Sequence, residues 1–201
     1  MFNGLGRMRY FKIDPLGDEH QTEFCFADTG PKGGIDAYDL STGGRIADQY
    51  PAGFGDVLLK LSEDSPGLEL PSFIGNTNSL LIVSHQAASV ILSREVGEIE
   101  LIPFKLVNHK GRIHSIDYRF LNLIGSVDCL DVESSECIRF TDGTVMKYTR
   151  FVLSAAKVVS VPHLFRIRES PVDYVFSEDL VEALRSAHCT NFVVEELETT
   201  G

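Results

Sequence analysis

The triplet Asp28-Thr29-Gly30 has the composition of an aspartic-protease half site, in which two carboxylates sharing one proton activate water. No second such triplet occurs, and this one runs into Pro31-Lys32-Gly33-Gly34, a turn composition, so a loop is predicted. Nor is the stretch a phosphate-binding loop, because Lys32 precedes the glycine pair and no G-x-x-x-x-G-K-[ST] is present. His109, His114 and Asp117 are close enough in sequence to suggest a metal site, but a spacing of three puts His114 and Asp117 on opposite faces of an ideal strand. Cys129 follows Asp128 without a His beside it or a helix N-terminus to lower its pKa. His188 and Cys189 end a predicted helix, where a His suits the terminal carbonyls. The four cysteines, Cys25, Cys129, Cys137 and Cys189, are widely spaced without a C-x-x-C pair, which predicts buried free thiols and neither a zinc site nor a disulfide framework. G-x-S-x-G, H-E-x-x-H and the dinucleotide-binding fingerprint are all absent. The expectation is a protein with no catalytic residues, no metal and no cofactor, which is not an enzyme.

Charge is the stronger signal. Eighteen Lys and Arg stand against 29 Asp and Glu, a formal net charge of -11, which repels phosphate backbones and argues against nucleic-acid binding. The charge is uneven. Residues 173 to 201 carry Asp173, Glu178, Asp179, Glu182, Glu195, Glu196 and Glu198 against Arg185 alone. Residues 139 to 168 carry Arg139, Lys147, Arg150, Lys157, Arg166 and Arg168 against Asp142 alone. An acidic end of this kind suits either a solvated face or a basic protein partner steered toward it.

The elements that must position these residues follow from periodicity. A hydrophobic share of 43%, a charged share of 23% and a mean hydropathy near zero are those of an ordinary globular chain. No 18-residue apolar run occurs and "MFNGLGRMRYFKID" lacks the apolar stretch of a signal peptide, so a cytoplasmic protein without membrane attachment is expected. "MRYFKI", "TEFCFAD" and "DVLLKLS" read as strands, separated by a Gly-, Pro- and Asp-rich stretch that is either a packed irregular segment or a mobile loop. "SLLIVS" leads into a helix capped by Ser84 with Ala87, Ala88 and Ile91 on its apolar stripe. In the returning strand "EIELIPFKLV", Glu98 and Glu100 are expected to face water while Ile99 and Leu101 face the core. "RIHSIDYRFLNLIGSVDCL" reads as strand for most of its length. "CIRFTDGTVMKYTRFVL" reads as a hairpin around a two-residue Asp142-Gly143 loop. A second strand, Ser cap, helix and returning strand follows at "VFSEDLVEALRSAHCTNFVVEEL", with Ser177 over Ser84, Leu184 over Ile91, Phe192 over Ile99 and Val194 over Leu101. The fold class expected is α+β, with a mixed, mainly antiparallel sheet, two strand-helix-strand units and an irregular Gly/Pro-rich N-terminal third. One domain is expected over 1–201, irregular over 1–70.

"FLNLIGSVDCLDVESSE" (120–136) and "PHLFRIRESPVDYVFSEDLVEALRSAHCTNFVVEELE" (162–198) resemble a bacterial immunity protein family of polymorphic toxin systems, formerly a domain of unknown function. The resemblance covers about residues 70–198. Thr190-Asn191 stands where relatives often have Gly before the last strand, and Asn can take the same left-handed backbone.

What the resemblance implies is a cytoplasmic immunity protein that binds and neutralises a cognate secreted toxin by stoichiometric protein-protein inhibition. A toxin that is a basic nuclease would fit the negative field. The residues expected to face it are Asp128, Asp131, Glu133 and Glu136 in one segment and Glu195, Glu196 and Glu198 in the other. Two alternatives stand beside this reading. One is an enzyme or small-ligand-binding protein using a pocket in the Gly-rich first third, and the other is a secretion-locus adaptor that binds an effector without inhibiting it.

Overall fold

The computed structural model describes residues 8–50 and 53–201. Residues 1–7, where the signal-peptide question falls, and Pro51 and Ala52 of the Gly/Pro-rich stretch lie outside the described residues. The chain runs through β1 (Tyr10–Asp14), β2 (Phe26–Ala27), α1 (Ala37–Thr42), a 3-10 turn (Ala47–Gln49), β3 (Leu58–Lys60), β4 (Gly75–Asn76), β5 (Ile82–Ser84) and α2 (His85–Leu92). It continues through β6 (Ile99–Pro103), β7 (Lys105–Val107), β8 (Ile113–Ser115), β9 (Tyr118–Leu123), β10 (Glu136–Arg139), β11 (Val145–Arg150) and β12 (Val152–Ser154). Then come β13 (Leu164–Ile167), β14 (Ser170–Ser177), α3 (Glu178–Ser186) and β15 (Val193–Thr200). Pairing is mainly antiparallel, with β12/β15, β2/β4 and β3/β7 parallel, so the molecule is α+β with mixed sheets.

The two strand-helix-strand units share more than a pattern. In the first, β5-α2-β6 leaves a gap between its strands that β9 fills, antiparallel to both. In the second, β14-α3-β15 leaves the same gap, filled by β1, again antiparallel to both. The registers correspond. Ser84 pairs with Tyr118 as Ser177 pairs with Tyr10, and Leu101 pairs with Leu121 as Val194 pairs with Ile13. One offset therefore carries strand, helix and strand onto their counterparts, and one further offset carries the central strand, read from either neighbour. The local chemistry repeats too. Ser84 Oγ accepts from Ala87 N and Ser177 Oγ accepts from Leu180 N, each at 3.3 Å, which satisfies a helix N-terminal donor. Tyr118 and Tyr10 are both buried, and each donates its hydroxyl to a backbone carbonyl, of Pro71 (2.5 Å) and Val158 (2.8 Å).

Three cores follow from this arrangement. The apolar faces of α2 (Ala87, Ala88, Ile91) and α3 (Leu180, Val181, Leu184) share one core with Phe11, Leu121 and Phe176 from the two sheets. The opposite face of the β5-β9-β6 sheet, with Ile82, Ile102 and Phe120, packs on the N-terminal third through Ile35, Leu40, Ile46 and Leu59. The opposite face of the five-stranded sheet β12-β15-β1-β14-β13 packs Phe165, Val175 and Leu197 on Cys129, Leu130 and Phe151. The N-terminal third is thus a packed irregular segment. It also holds α1, unforeseen in the sequence, whose start is capped by Asp36 Oδ1 on Tyr38 N (2.9 Å) and whose end is closed by Gly43 at φ +77°.

That packing overturns the reading of Glu100 and Leu101, whereas Glu98 is exposed and Ile99 packs on the helix-side core as expected. Glu100 does not face water: it lies under the N-terminal third, accepting from Ile46 N (3.0 Å), Ala47 N (3.0 Å) and Asn122 Nδ2 (2.9 Å). Ile102 is fully buried beside it, whereas Leu101 is 36% exposed at the margin of the helix-side core. The N-terminal third covers the face that carries Glu100 and Ile102, so local alternation assigns that face to water wrongly. Two smaller corrections concern breaks. The stretch read as one strand from Arg112 is interrupted at Ile116-Asp117, and β8 and β9 join different sheets. The hairpin loop holds three residues, Thr141 to Gly143, because Phe140 N donates to Thr144 O (2.8 Å), with Gly143 at φ +88°.

Candidate functional site

The two acidic segments meet in space. Glu136 on β10 lies 3.5 Å from Arg150 of β11, and the same guanidinium holds Glu198 of β15, so one cation joins the segments. Asp131 accepts from Ser134 N (3.0 Å) and caps the turn before β10, and that backbone bond holds its carboxyl below the usual carboxylate range. Glu133, in the same turn, is exposed and makes no ion pair among the described residues. Asp128 sits between Lys157 (2.7 Å) and Arg168 (2.9 Å). The hydrogen bond from Lys157, with the charge of Arg168, depresses its pKa. Along β15, Glu195 is 3.9 Å from Lys12 and Glu196 is 3.3 Å from Arg9, which also pairs with Glu178 at the start of α3.

Part of the charge of the two sequence stretches is paired within the chain, although only Arg150 and Glu198 join one stretch to the other. Arg150, Lys157 and Arg168 of the basic stretch hold Glu136, Glu198 and Asp128, while Arg166 is fully buried. What remains outward is a face of half-neutralised carboxylates on an ordered strand and turn. Such a face can steer and position a cationic surface, and it holds no group poised to attack or to transfer a proton.

Residues considered for catalysis are placed elsewhere. Asp28 lies in a loop and accepts from Ser62 Oγ (2.7 Å). His109, His114 and Asp117 are exposed and do not converge; among the described residues no group of three His, Cys, Asp or Glu could hold a metal ion. Burial pushes the Cys129 thiol up to about 12 and raises those of Cys25 and Cys189. All four cysteines are free. Past α3 it is the backbone of His188, at φ +55°, that donates to Arg185 O (2.9 Å).

The first third, where the small-ligand alternative puts a pocket, does hold a concave feature, though sequence names none of its lining residues. The loop 16–26 and residues 64–66, with Asn191, enclose a cavity of about 440 Å³ lined by Phe24, Phe26, Asp18, Glu19 and Asp64 among others. Two of its walls are joined by single β-bridges, Phe24 with Glu69 and Cys25 with Pro66, which leave no periodic trace in the sequence. Among the described residues no helix is long and apolar enough to cross a membrane.

The family model described as Immunity protein family (Imm11) matches residues 31–199. The match starts well before residue 70, so it takes in most of the N-terminal third as well as the two strand-helix-strand units. No curated protein matches the chain.

Proposed function

Because this chain belongs to the Imm11 immunity protein family, we propose that it protects the bacterial cell that makes it by binding a cognate secreted toxin of a polymorphic toxin system in the cytoplasm. Protection is by stoichiometric occupation of the toxin and involves no turnover and no cofactor. The observation that carries this reading is the family match over residues 31–199. The electrostatics agree with it: a net charge of -11 draws in a basic partner such as a nuclease. The ordered acidic face around Arg150 offers Asp131, Glu133, Glu136 and Glu198 on rigid elements, where little entropy is lost on docking.

Co-expression tests the reading. Cells carrying the toxin encoded beside this chain's gene should survive only when the chain is present, and the two proteins should co-purify in a fixed ratio. Binding without rescue would identify an adaptor instead. Absence of both, with a melting shift produced by a metabolite, would identify a small-ligand protein.

A further inference from the structure

The cavity between the loop 16–26 and residues 64–66 combines two kinds of wall. Phe24 and Phe26 are half-buried and give it aromatic surface, with Leu16 standing 53% exposed beside them. Asp18, Glu19 and Asp64 give it carboxylates, and no Lys or Arg is among its lining residues. At the acidic face around Arg150, by contrast, the chain's own guanidinium already holds Glu136 and Glu198. Among the described residues Asp18 and Asp64 make no ion pair, and Glu19 reaches only His20, at 3.9 Å. Aromatic faces and carboxylates around one space favour an organic cation, through attraction to the ring quadrupole and charge-assisted hydrogen bonds.

The walls are set in advance. Asn191 accepts from Asp18 N (2.8 Å) and donates to Phe73 O (2.8 Å), tying the loop to the body. Cys25 N donates to Glu69 O (2.8 Å) and Glu69 N to Glu23 O (2.9 Å), and Ser62 Oγ accepts from Asp64 N (3.1 Å) and Ser65 N (3.0 Å). Phe24 O lies so near Gly67 that a Cβ there would come within 2.0 Å of it, so only glycine lets the two segments close on the cavity. Eight of the twelve lining residues lie at 16–26, ahead of the point where the family match begins. A site built largely outside the shared part of the chain is suited to telling one partner from another.

Building on the immunity reading, we propose that this cavity receives an arginine or lysine side chain projecting from the toxin, as the anchor of the interface. The volume of about 440 Å³ admits such a side chain with its flanking backbone, and burying its aliphatic stem against Phe24 and Phe26 adds apolar area to the charge contact.

The test measures affinity of the full chain for the co-purified toxin at low and high salt, with Asp18→Asn/Asp64→Asn, with Asp64→Lys, which fills the cavity with the chain's own cation, and with Asp117→Asn as an exposed control. The proposal expects both cavity variants to lose at least about tenfold in affinity, the loss to shrink at high salt, and melting temperatures and the control to stay put. Free argininamide and spermidine should bind no more tightly than millimolar. Cavity variants that bind as the parent does would overturn the proposal and leave the immunity reading standing. Micromolar, saturable binding of argininamide or spermidine, lost in Asp64→Lys, would overturn it in favour of a small-molecule site. Failure of the parent chain to bind the toxin at all would remove the immunity reading and this anchor with it.

Discussion

Arg166 places its guanidinium 4.1 Å over the ring of Tyr174 and donates to the Tyr174 hydroxyl at 2.7 Å, with both side chains buried. Among the described residues no carboxylate pairs with Arg166. The remaining donors go to backbone carbonyls: Leu40 and Ser41 in the last turn of α1, Leu123 at the end of β9 and Pro171 on β14. One side chain thereby ties the N-terminal third to both strand-helix-strand units, and the negative end of α1 supplies part of the compensation a buried cation needs.

Replacing Arg166 by Met leaves four carbonyls and a phenol without their donor. A loss of about 3–5 kcal/mol is expected from that number of charge-assisted bonds. Arg166→Lys recovers little, because an ammonium cannot fork to five acceptors on three segments. Urea unfolding of the two variants checks this; a loss under 1 kcal/mol in Arg166→Met would refute the hub role.

Glu100 gives the pH dependence a sign. Burial pushes its pKa upward, but the bonds from Ile46 N, Ala47 N and Asn122 outweigh this and hold it below the usual value. Its ionised form therefore stabilises the fold fully above the unfolded pKa of about 4.3, and that contribution is lost as pH falls through the lower folded value. Glu100→Gln should cost about 1–2 kcal/mol at pH 7, and the gap to the parent should close on acidification below about pH 4. Melting curves at pH 7, 5 and 3 measure it.

The thiols should divide three to one. Cys25, Cys129 and Cys189 are buried and their pKa values raised, whereas Cys137 on the β10-β11 hairpin is half-exposed. Brief alkylation of the native protein, read by mass spectrometry, should label Cys137 alone, with the other three reacting only on unfolding.

Changing Asp131, Glu133 and Glu136 together to Ser should slow toxin association and flatten its salt dependence. Ser at 131 can still cap the turn, and Glu136 is only one of two partners of Arg150, so the fold should persist. Stopped-flow association at two ionic strengths decides the matter, with unchanged rates removing this segment from the interface.

Much of the fold was legible because it is local. The Ser84 and Ser177 caps, the apolar stripes of α2 and α3, and the turn at Asp142-Gly143 are written within a few residues of where they act. What alternation missed was non-local. Glu100 reads as solvent-facing until the N-terminal third is laid over it, and Arg166 reads as surface charge until α1 and β9 close around it. The acidic segments were visible, but their junction at Arg150 and the internal pairing of Asp128 depend on strand order. A pocket in the first third was among the alternatives, but its lining residues were not legible, because they come from segments at 16–26, 64–66 and 191 that only the folded chain brings together.

The strand that fills the second gap, β1, is synthesised ahead of every other named strand, while both of its neighbours emerge late; Arg9 and Glu196, which are bonded to each other, stand 187 residues apart. The first unit can assemble while translation is still under way, but in the second β1 waits for β14 to emerge and keeps its other edge unpaired until β15 follows. Nascent chains therefore carry a bare edge on each side of β1, open to pairing with the same strand of another copy.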